Sequence, residues 1–353
     1  ANDSYRSTPS SLTFDTLQPY LKDIRDLRVV IATGLHRKPT DEEIERILGE
    51  DFAKSHSKIV HSDAYDRSQF DTFGEWKNGS KILIHKLVTW AEKIIVIGSV
   101  EPHYFAGFTG GPKSFLPGLS HYSTIEANHA LAVDTECQPA KLDRNPVAES
   151  IREAVSKIDC GKVYSIQFVN DSRQNVIGVF TGDLWNSFDM AVQCARGVYV
   201  LPVREKYDIV VAVNYHPLDR NLYQLQKSFE NSRSIVKDGG SIIVVSACRE
   251  GVGNDEFLAI ADKYPEPEDI LSAKQTTYSL GYHKLYRTAL HTRKISILVK
   301  SELDDSVVRR VYLHPVHDIQ QKIDQAIDKF GEKTGVIIIM DAGHIVPYVD
   351  RAA

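Results

Sequence analysis

Two histidines stand just after predicted strands, where they could exchange protons with a substrate. His36 follows the apolar run VVIATGL, and His103 follows IVIGSVEP. A neutral imidazole has a pKa of about 6.5, so it can accept a proton and return it near neutral pH. A single loop histidine is more often a solvated or hydrogen-bonding residue than a catalyst. Two histidines at matching strand exits favour a pair that acts on opposite faces of one substrate.

The stretch EPHYFAGFTGGPKSFLPG, residues 101–118, concentrates glycines and prolines around His103 and Lys113. Glycine and proline weaken regular elements, so this stretch is predicted to be a shaped loop. A glycine-rich loop with a lysine can bind phosphate, but Pro112 removes an N–H group that the G-x-x-x-x-G-K-[ST] loop needs. A nucleoside triphosphatase is therefore disfavoured, while anion recognition by backbone amides stays open. Lys113 is then a candidate point charge or covalent attachment site.

A third histidine, His129, lies sixteen residues beyond Lys113 in the helical pattern TIEANHALA and is a candidate metal ligand. One histidine alone makes a poor metal site, because zinc sites use three or four protein ligands. The chain has four cysteines, Cys137, Cys160, Cys194 and Cys248. They form no C-x-x-C pair, so neither a zinc site nor a disulfide framework is indicated, and their spacing suits a reducing cytoplasm.

The elements that must position these residues alternate between short apolar runs and amphipathic segments. Strands are predicted at residues 27–33, 93–98, 163–169, 176–181, 207–213, 241–246, 295–299 and 335–340. Helices are predicted at residues 40–48, 183–195, 221–236, 254–263 and 318–330. Several strands are Val/Ile-rich without polar alternation, which is typical of strands buried on both faces of a parallel sheet. The alternation predicts a doubly wound α/β fold that binds ligands beyond the carboxyl ends of its strands.

The composition excludes some classes of partner. The chain has 353 residues, of which 42% are hydrophobic and 25% charged, as in ordinary globular proteins. Its net charge is -5 with both signs interspersed, so no nucleic-acid partner is expected. No apolar run approaches the roughly 18 residues that span a bilayer, so no membrane partner is expected either.

Several motifs resemble those of the lactate racemase family, the enzymes that carry a nickel-pincer nucleotide. The matching segments are ATGLHR (32–37), EPH (101–103), AGFTGGPKSFLPGL (106–119), EANH (126–129) and PLDRNLYQLQK (217–227). They follow the family's order over most of the chain. Family members usually have strands before the motif that contains the arginine, whereas this chain starts almost on it, so we expect an N-terminal piece to be missing.

The resemblance implies a cofactor and the residues that hold it. The cofactor would be the nickel-pincer nucleotide, a pyridinium-3,5-bisthiocarboxylic acid mononucleotide of Ni(II), attached covalently at Lys113 and flanked by Gly110 and Gly111. His129 would bind the nickel, and the cofactor's own carbon and two sulfurs would complete a square-planar site. Proteins that make the cofactor would then be partners in maturation.

The resemblance also implies a reaction, the racemisation or 2-epimerisation of a 2-hydroxy acid. Arg6 would hold the substrate carboxylate, and Gln224 and Lys227 would lie near substrate and cofactor. His36 and His103 would be the acid/bases that move the hydroxyl proton while the Cα hydride moves reversibly to the cofactor. The centre inverts because the planar 2-keto acid rotates before the hydride returns.

Departures from the family pattern concern the substrate. Pro112 stands where alanine is common, and His121, Tyr122, Tyr223 and His283 are candidates for further polar contacts, although each such residue is more often a surface or packing residue. These residues would favour a substrate longer and more polar than lactate. The sequence leaves both the substrate and the oligomeric state open.

We expect two Rossmann-like α/β domains with the cofactor site in the cleft between them. Residues 1–197 would form the domain with the cofactor-binding and catalytic residues, and residues 198–353 would form the domain that adds substrate contacts. The length of 353 residues suits this number of domains.

Two other functions remain open at this point. One is an NAD- or anion-binding α/β oxidoreductase without nickel, in which His36 and His103 bind substrate. The segment CREGVGNDEF, residues 248–257, has a G-x-G after a strand, but this signal is weak without a third glycine and a suitably placed acid. The other is a non-catalytic relative that keeps Lys113 and His129 to bind a cofactor or metal.

Overall fold

The computed structural model describes residues 1–6, 8–55, 58–273 and 278–350, and these residues adopt a mixed α/β fold. The strands are β1 Val29–Ile31, β2 Ile59–His61, β3 Phe70–Glu75, β4 Lys81–His85, β5 Ile94–Ser99, β6 Pro102–His103, β7 Gly107–Phe108, β8 Val163–Asn170, β9 Val176–Asp183, β10 Val200–Val203, β11 Tyr207–Val213, β12 Val236–Val245, β13 Ser296–Lys300, β14 His314–Pro315, β15 Val336–Met340 and β16 Val346–Val349. The helices are α1 Ser10–Leu21, α2 Asp41–Leu48, α3 Glu50–Ser55, α4 Leu87–Trp90, α5 Tyr122–Ala130, α6 Pro146–Val155, α7 Leu184–Tyr199, α8 Leu222–Ser232, α9 Asp255–Lys263, α10 Pro267–Ser272, α11 Tyr282–Thr292, α12 Asp305–Arg310 and α13 Ile319–Phe330. Among the residues described, no helix has both the length and the apolar character needed to cross a membrane.

The chain divides into two compact units, each assembled from separate stretches. The first unit comprises Ala1–Glu101, Phe108–Asn128 and Leu142–Arg196, and the second comprises Pro102–Gly107, His129–Lys141 and Gly197–Ala353. The chain passes from one unit to the other near residue 197, where the sequence predicts a domain boundary. Two short segments, 102–107 and 129–141, also belong to the second unit, and they carry His103 and His129.

The first unit contains several small sheets and a core cluster of apolar side chains. Strand β1 pairs in parallel with β2, and β5 pairs in parallel with β8. Strand β9 runs antiparallel to β8, because the turn at Asp171–Asn175 is too short for the crossover that a parallel pair needs. The core contains buried aliphatic and aromatic side chains, including Phe14, Ile31, Leu48, Phe52, Ile97 and Phe168.

The second unit is built on a five-stranded parallel sheet with strand order β14-β13-β12-β11-β15. Alternate residues of each strand point to opposite faces. On one face Val210 and Ile242 pack in the core cluster that includes helices α8, α9 and α11. On the other face Val211 and Ile243 pack with side chains of α13. The predicted α/β class is confirmed in this sheet, and its central strands β11, β12 and β13 are buried on both faces as predicted. The edge strand β15 differs, because Ile338 and Met340 are exposed.

Candidate active site

In the first unit, His36 is oriented by a carboxylate that lies 33 residues earlier in the chain. The distance from His36 Nδ1 to Asp3 Oδ2 is 2.5 Å, and the Tyr5 ring centroid lies 4.2 Å from that of the imidazole. A carboxylate accepts the Nδ1–H proton, so the neutral ring has an unprotonated Nε2. His36 is exposed and Asp3 is buried. The Nε2 atom of His36 is therefore arranged as a proton acceptor.

Helix α2 fixes the chain on either side of this histidine. Thr40 and Glu43 form a capping box, in which each side chain bonds the other residue's backbone N–H. The Glu43 carboxylate also accepts two hydrogen bonds from Arg37, at 2.7 and 2.8 Å, and one from Ser4. The bonds from Arg37 lower the pKa of Glu43 to about 2, so it stays ionised at neutral pH. Glu43 thus links Ser4, two residues before Arg6, to Arg37, the residue after His36.

Arg6, the predicted ligand for the substrate carboxylate, binds a carboxylate of the protein. Arg6 Nη1 donates to Glu101 Oε1 at 2.6 Å, with 18% of the Arg6 and 10% of the Glu101 side chain exposed. The Glu101 backbone is held in turn by Thr109, whose hydroxyl accepts the Glu101 N–H and whose N–H donates to the Glu101 carbonyl. Arg6 is thus placed where a carboxylate can bind it.

The glycine-rich loop presents Lys113 on a single 3₁₀ turn. Gly110 and Gly111 have φ angles of 78° and 48°, and the Gly111 N–H donates to Gln167 Oε1 at 2.8 Å. A Cβ atom at Gly111 would lie 2.5 Å from Phe188. These glycines are required because the loop packs against side chains of its own unit, which fixes the backbone of Lys113. Contact of Gly110 and Gly111 with a cofactor stays a prediction.

In the second unit, His103 carries its proton on the opposite nitrogen from His36. The Ala106 N–H donates to His103 Nδ1 at 3.2 Å, so the neutral ring is protonated at Nε2. Tyr104 stacks on the imidazole at a centroid distance of 5.2 Å, and Phe105 meets it edge-on at 4.5 Å. His103 is therefore arranged as a hydrogen-bond donor, whereas His36 is arranged as an acceptor.

His129 lies at the end of α5 beside two rings. The centroid of Phe105 is 5.1 Å from that of His129, and the centroid of His283 is 5.9 Å away. Both nitrogens of His283 are engaged, Nδ1 with the hydroxyl of Tyr278 and Nε2 with that of Tyr104. Burial lowers the pKa of His283 well below its usual value, so it is neutral. Among the described residues, no three His, Cys, Asp or Glu side chains form a group that could hold a metal ion.

Helix α8 carries the two predicted substrate contacts. Gln224 and Lys227 are three residues apart, so they lie on the same side of the helix. Asn221 caps this helix by accepting the Gln224 N–H at 3.0 Å. Lys284, which is buried, donates to the Tyr223 carbonyl at 2.8 Å and lies 4.0 Å from the Tyr223 ring centroid. Burial first, and then the charge of Lys227, lowers the pKa of Lys284 well below its usual value.

Sequence reasoning missed Asp3 and Lys284, because neither belongs to a short motif that predicts its contact. It also proposed pocket contacts for His121 and Tyr122, which make local bonds in α5 and the turn before it. His121 Nδ1 lies 2.9 Å from the Ser123 hydroxyl, and the Tyr122 hydroxyl donates to Glu126 at 3.0 Å.

The G-x-G segment after β12 is a turn that supports α8. The Gly251 carbonyl accepts the Leu222 N–H at 3.0 Å, and a Cβ atom at Gly253 would lie 2.3 Å from the side chain of Asn221. This glycine is thus explained by contact with the cap of α8, which favours a turn over a dinucleotide site.

Comparison with known proteins identifies the family. The model of the lactate racemase N-terminal domain matches residues 1–139, and that of the lactate racemase C-terminal domain matches residues 203–346. The lactate racemase of Thermoanaerobacterium thermosaccharolyticum is 26% identical over 352 residues, which cover 95% of this chain and 81% of that protein. The lactate racemase of Lactiplantibacillus plantarum is 27% identical over 352 residues, which cover 97% and 82%.

The fold agrees with these matches. The structure of the lactate racemase apoprotein from T. thermosaccharolyticum superposes with a TM-score of 0.89 at 25% identity, covering 98% of this chain and 85% of that one. Because both family models and the fold agree, the chain belongs to the lactate racemase family and is an isomerase.

Proposed function

We propose that the protein racemises or 2-epimerises a 2-hydroxy acid, either lactate or a larger and more polar one, with a nickel-pincer nucleotide attached at Lys113. Membership of the family supports the reaction class. The observation that carries the proposal is the pair of imidazoles with opposite proton positions, an acceptor on His36 and a donor on His103.

Binding of the substrate begins with its carboxylate. Arg6 binds it in place of the Glu101 carboxylate, since a guanidinium can hold a carboxylate through two parallel hydrogen bonds. Gln224 and Lys227 add polar contacts from α8. These contacts orient the substrate hydroxyl toward an imidazole, which lowers the entropic cost of the proton transfer.

The two histidines then move the proton. His36 accepts the hydroxyl proton at Nε2, and the Asp3 carboxylate stabilises the imidazolium that results. His103 donates its Nε2 proton to the substrate oxygen after the planar keto acid has turned its other face, and it takes a proton from solvent in its place. The His36 imidazolium releases its proton to solvent, so both neutral rings are restored with no net change in protons. In the reverse direction the same steps run backwards, and the histidines exchange roles.

The described residues fit the cofactor that the family implies. Among these residues, His129 belongs to no group of three side chains that could hold a metal ion, which suits a metal whose other ligands come from the cofactor. Lys113 lies on a turn whose backbone is fixed by packing, which suits a covalent tether. When bound, the nickel-pincer nucleotide would supply a reversible acceptor for the Cα hydride. Its location in a cleft between the two predicted domains stays a prediction.

The test combines intact mass, nickel analysis and a chiral assay on protein produced with the cofactor-making proteins. The parent chain should carry nickel and an adduct on Lys113, and it should invert at least one acid of a panel from lactate to sugar acids. Lys113→Arg should lose the adduct although it keeps the charge. His103→Gln should keep both adduct and nickel but stop inversion.

Two outcomes would contradict the proposal. Parent protein without nickel or adduct would exclude the cofactor, and loaded protein that inverts no acid would indicate a non-catalytic relative. Protein produced without the cofactor-making proteins is the negative control, since it should be inactive.

A further inference from the structure

The segment that begins with His129 is attached to the second unit, although the chain on both sides of it is not. Residues 129–141 belong to the second unit, and the flanking stretches 108–128 and 142–196 belong to the first. His129 is thus the first residue after the chain changes unit. Contacts that hold the residues directly after His129 therefore also hold the backbone that carries its imidazole.

Arg287 of α11 makes that attachment through main-chain hydrogen bonds. Its Nη1 atom donates to the carbonyl oxygens of Ala132 at 3.0 Å and Asp134 at 3.5 Å. Between these two residues, Val133 packs against the core of the second unit. A single guanidinium therefore binds the turn that immediately follows His129.

Glu230 of α8 fixes the guanidinium in turn. Its Oε1 atom accepts from Arg287 Nε at 2.8 Å, and its Oε2 atom accepts from Nη2 at 2.7 Å. The side chains are 0% and 3% exposed for Glu230 and Arg287 respectively. Burial alone would raise the pKa of Glu230, but Arg287 and His291 outweigh it and hold this pKa well below its usual value. The pair is therefore ionised, and the two parallel bonds leave the guanidinium one orientation.

Stability alone does not explain this pair. Buried ion pairs are often no more stable than well-packed apolar side chains of similar volume. An apolar pair could not donate hydrogen bonds to the carbonyls of Ala132 and Asp134, and it would contain no donor to be held in a fixed direction. The Glu230–Arg287 ion pair supplies the donor and fixes its direction.

We propose that Glu230 and Arg287 are positioning residues that hold the backbone after His129 and thereby set the orientation of its imidazole for nickel. The role of His129 as nickel ligand rests on the proposed function. Neither positioning residue is assigned contact with the substrate.

The first test is hydrogen exchange in the full chain without cofactor. The variant Glu230→Gln/Arg287→Gln removes the two charges of the pair together, and the shorter side chain of glutamine cannot replace the guanidinium. Amides of residues 131–137 should exchange at least about tenfold faster, because charged hydrogen bonds have been lost, whereas amides of residues 242–244 in β12 should not change.

Thr288→Val is the matched control, because Thr288 is buried in the same helix and its hydroxyl bonds the Lys284 carbonyl. It should leave exchange in residues 131–137 unchanged. Equal acceleration in this control, or no acceleration in the double variant, would overturn the proposal.

The second test measures nickel release from loaded protein into a chelator. The double variant should lose nickel at least tenfold faster than the parent while intact mass still shows the adduct on Lys113. Arg287→Lys keeps the charge but not the paired bonds, so its rate should be intermediate. Equal release from parent and double variant would refute a role at the nickel. If the parent shows no adduct, the proposed function fails, and the exchange experiment still decides whether the pair holds the segment.

Discussion

At the scale of single residues, hydrogen-bond partners decide which nitrogen of each imidazole carries the proton. Asp3 takes the Nδ1–H of His36, and the Ala106 N–H occupies Nδ1 of His103. The same residue type therefore presents an acceptor in one place and a donor in the other. On the proposed roles, these partners, more than the histidines themselves, would decide which ring accepts the proton and which ring donates it.

Asp3→Asn should lower kcat with little change in KM. An amide can still bond His36, but it can hold the wrong tautomer and cannot stabilise an imidazolium, and loss of general acid/base catalysis typically costs about 10²- to 10⁴-fold. Racemisation measured in both directions by chiral assay checks this. Asp63→Asn, in the same unit, is the control. A kcat within twofold of the parent would contradict the role assigned to Asp3.

His85 should make the stability of the first unit depend on pH. It is 2% exposed, its Nδ1 atom accepts the Leu87 N–H, and burial lowers its pKa to about 4. In the unfolded chain His85 has a pKa of about 6.5, so on acidification the unfolded state binds a proton at a higher pH than the folded state does. The stabilisation from neutral His85 is therefore fully present above pH 6.5 and is lost as the pH falls toward 4.

The comparison is with His85→Asn, which keeps an acceptor for the Leu87 N–H. From pH 7 to pH 4.5, the parent should lose about 2 to 3 kcal/mol more unfolding free energy than the variant. Urea unfolding followed by tryptophan fluorescence reports on the first unit, because Trp76, Trp90 and Trp185 all lie in it. Parallel curves for the two proteins would refute the prediction.

Sequence motifs predicted several candidate residues but not the partners that orient them. The histidines could be proposed because they follow strands, and this can be seen within ten residues of chain. Asp3 lies 33 residues from His36, and Glu230 lies 57 residues from Arg287. Contacts over such separations depend on tertiary packing, so no local pattern contains them.

At the scale of elements, the strands of the parallel sheet could be predicted from the sequence, whereas the packing of the glycine-rich loop could not. Val/Ile-rich runs indicate buried strands directly, so strand β11 matches its predicted bounds, Tyr207–Val213. Contact of Gly110 and Gly111 with a cofactor stays a prediction, whereas their packing against protein groups such as Phe188 could not be read from the sequence. Antiparallel pairing of β3 with β4 was not predicted at all, because neither strand is a continuous apolar run.

Gly111→Ala should destabilise the first unit by about 3 kcal/mol. The alanine would have to adopt a left-handed backbone conformation, with φ at 48°, and its Cβ atom would clash with Phe188, so the two energetic costs add. Gly79→Ala separates the two effects, because Gly79 has φ of 81° but no atom within 4 Å of the added Cβ, so it should cost only about 1 kcal/mol. Urea unfolding followed by tryptophan fluorescence measures both. Equal losses would show that the clash is relieved elsewhere.

At the scale of the whole molecule, the two units are interleaved in sequence. The chain changes unit at five places, near residues 101, 107, 128, 141 and 196. A continuous second half of the chain therefore lacks part of its own unit. Composition suggested a boundary near residue 197, but only tertiary contacts reveal the two inserted segments.

The fragment 197–353 should be less stable than the same residues in the full chain. It lacks Val133, which packs on its core, and the carbonyl acceptors of Arg287. Amides of residues 242–244 should exchange at least about tenfold faster in this fragment. The longer fragment 129–353 restores the segment and should recover most of the protection. Equal exchange in the two fragments would show that the segment adds nothing to the unit.

On the proposed role of Arg6, its ion pair with Glu101 should affect how substrate affinity responds to salt. Arg6 already holds a carboxylate, so on its proposed role a substrate exchanges one anion for another at the same cation. Ionic strength screens the outgoing and incoming attractions alike, and the net effect on affinity should be small. Competition between a tethered and a diffusing carboxylate then sets the affinity for substrate.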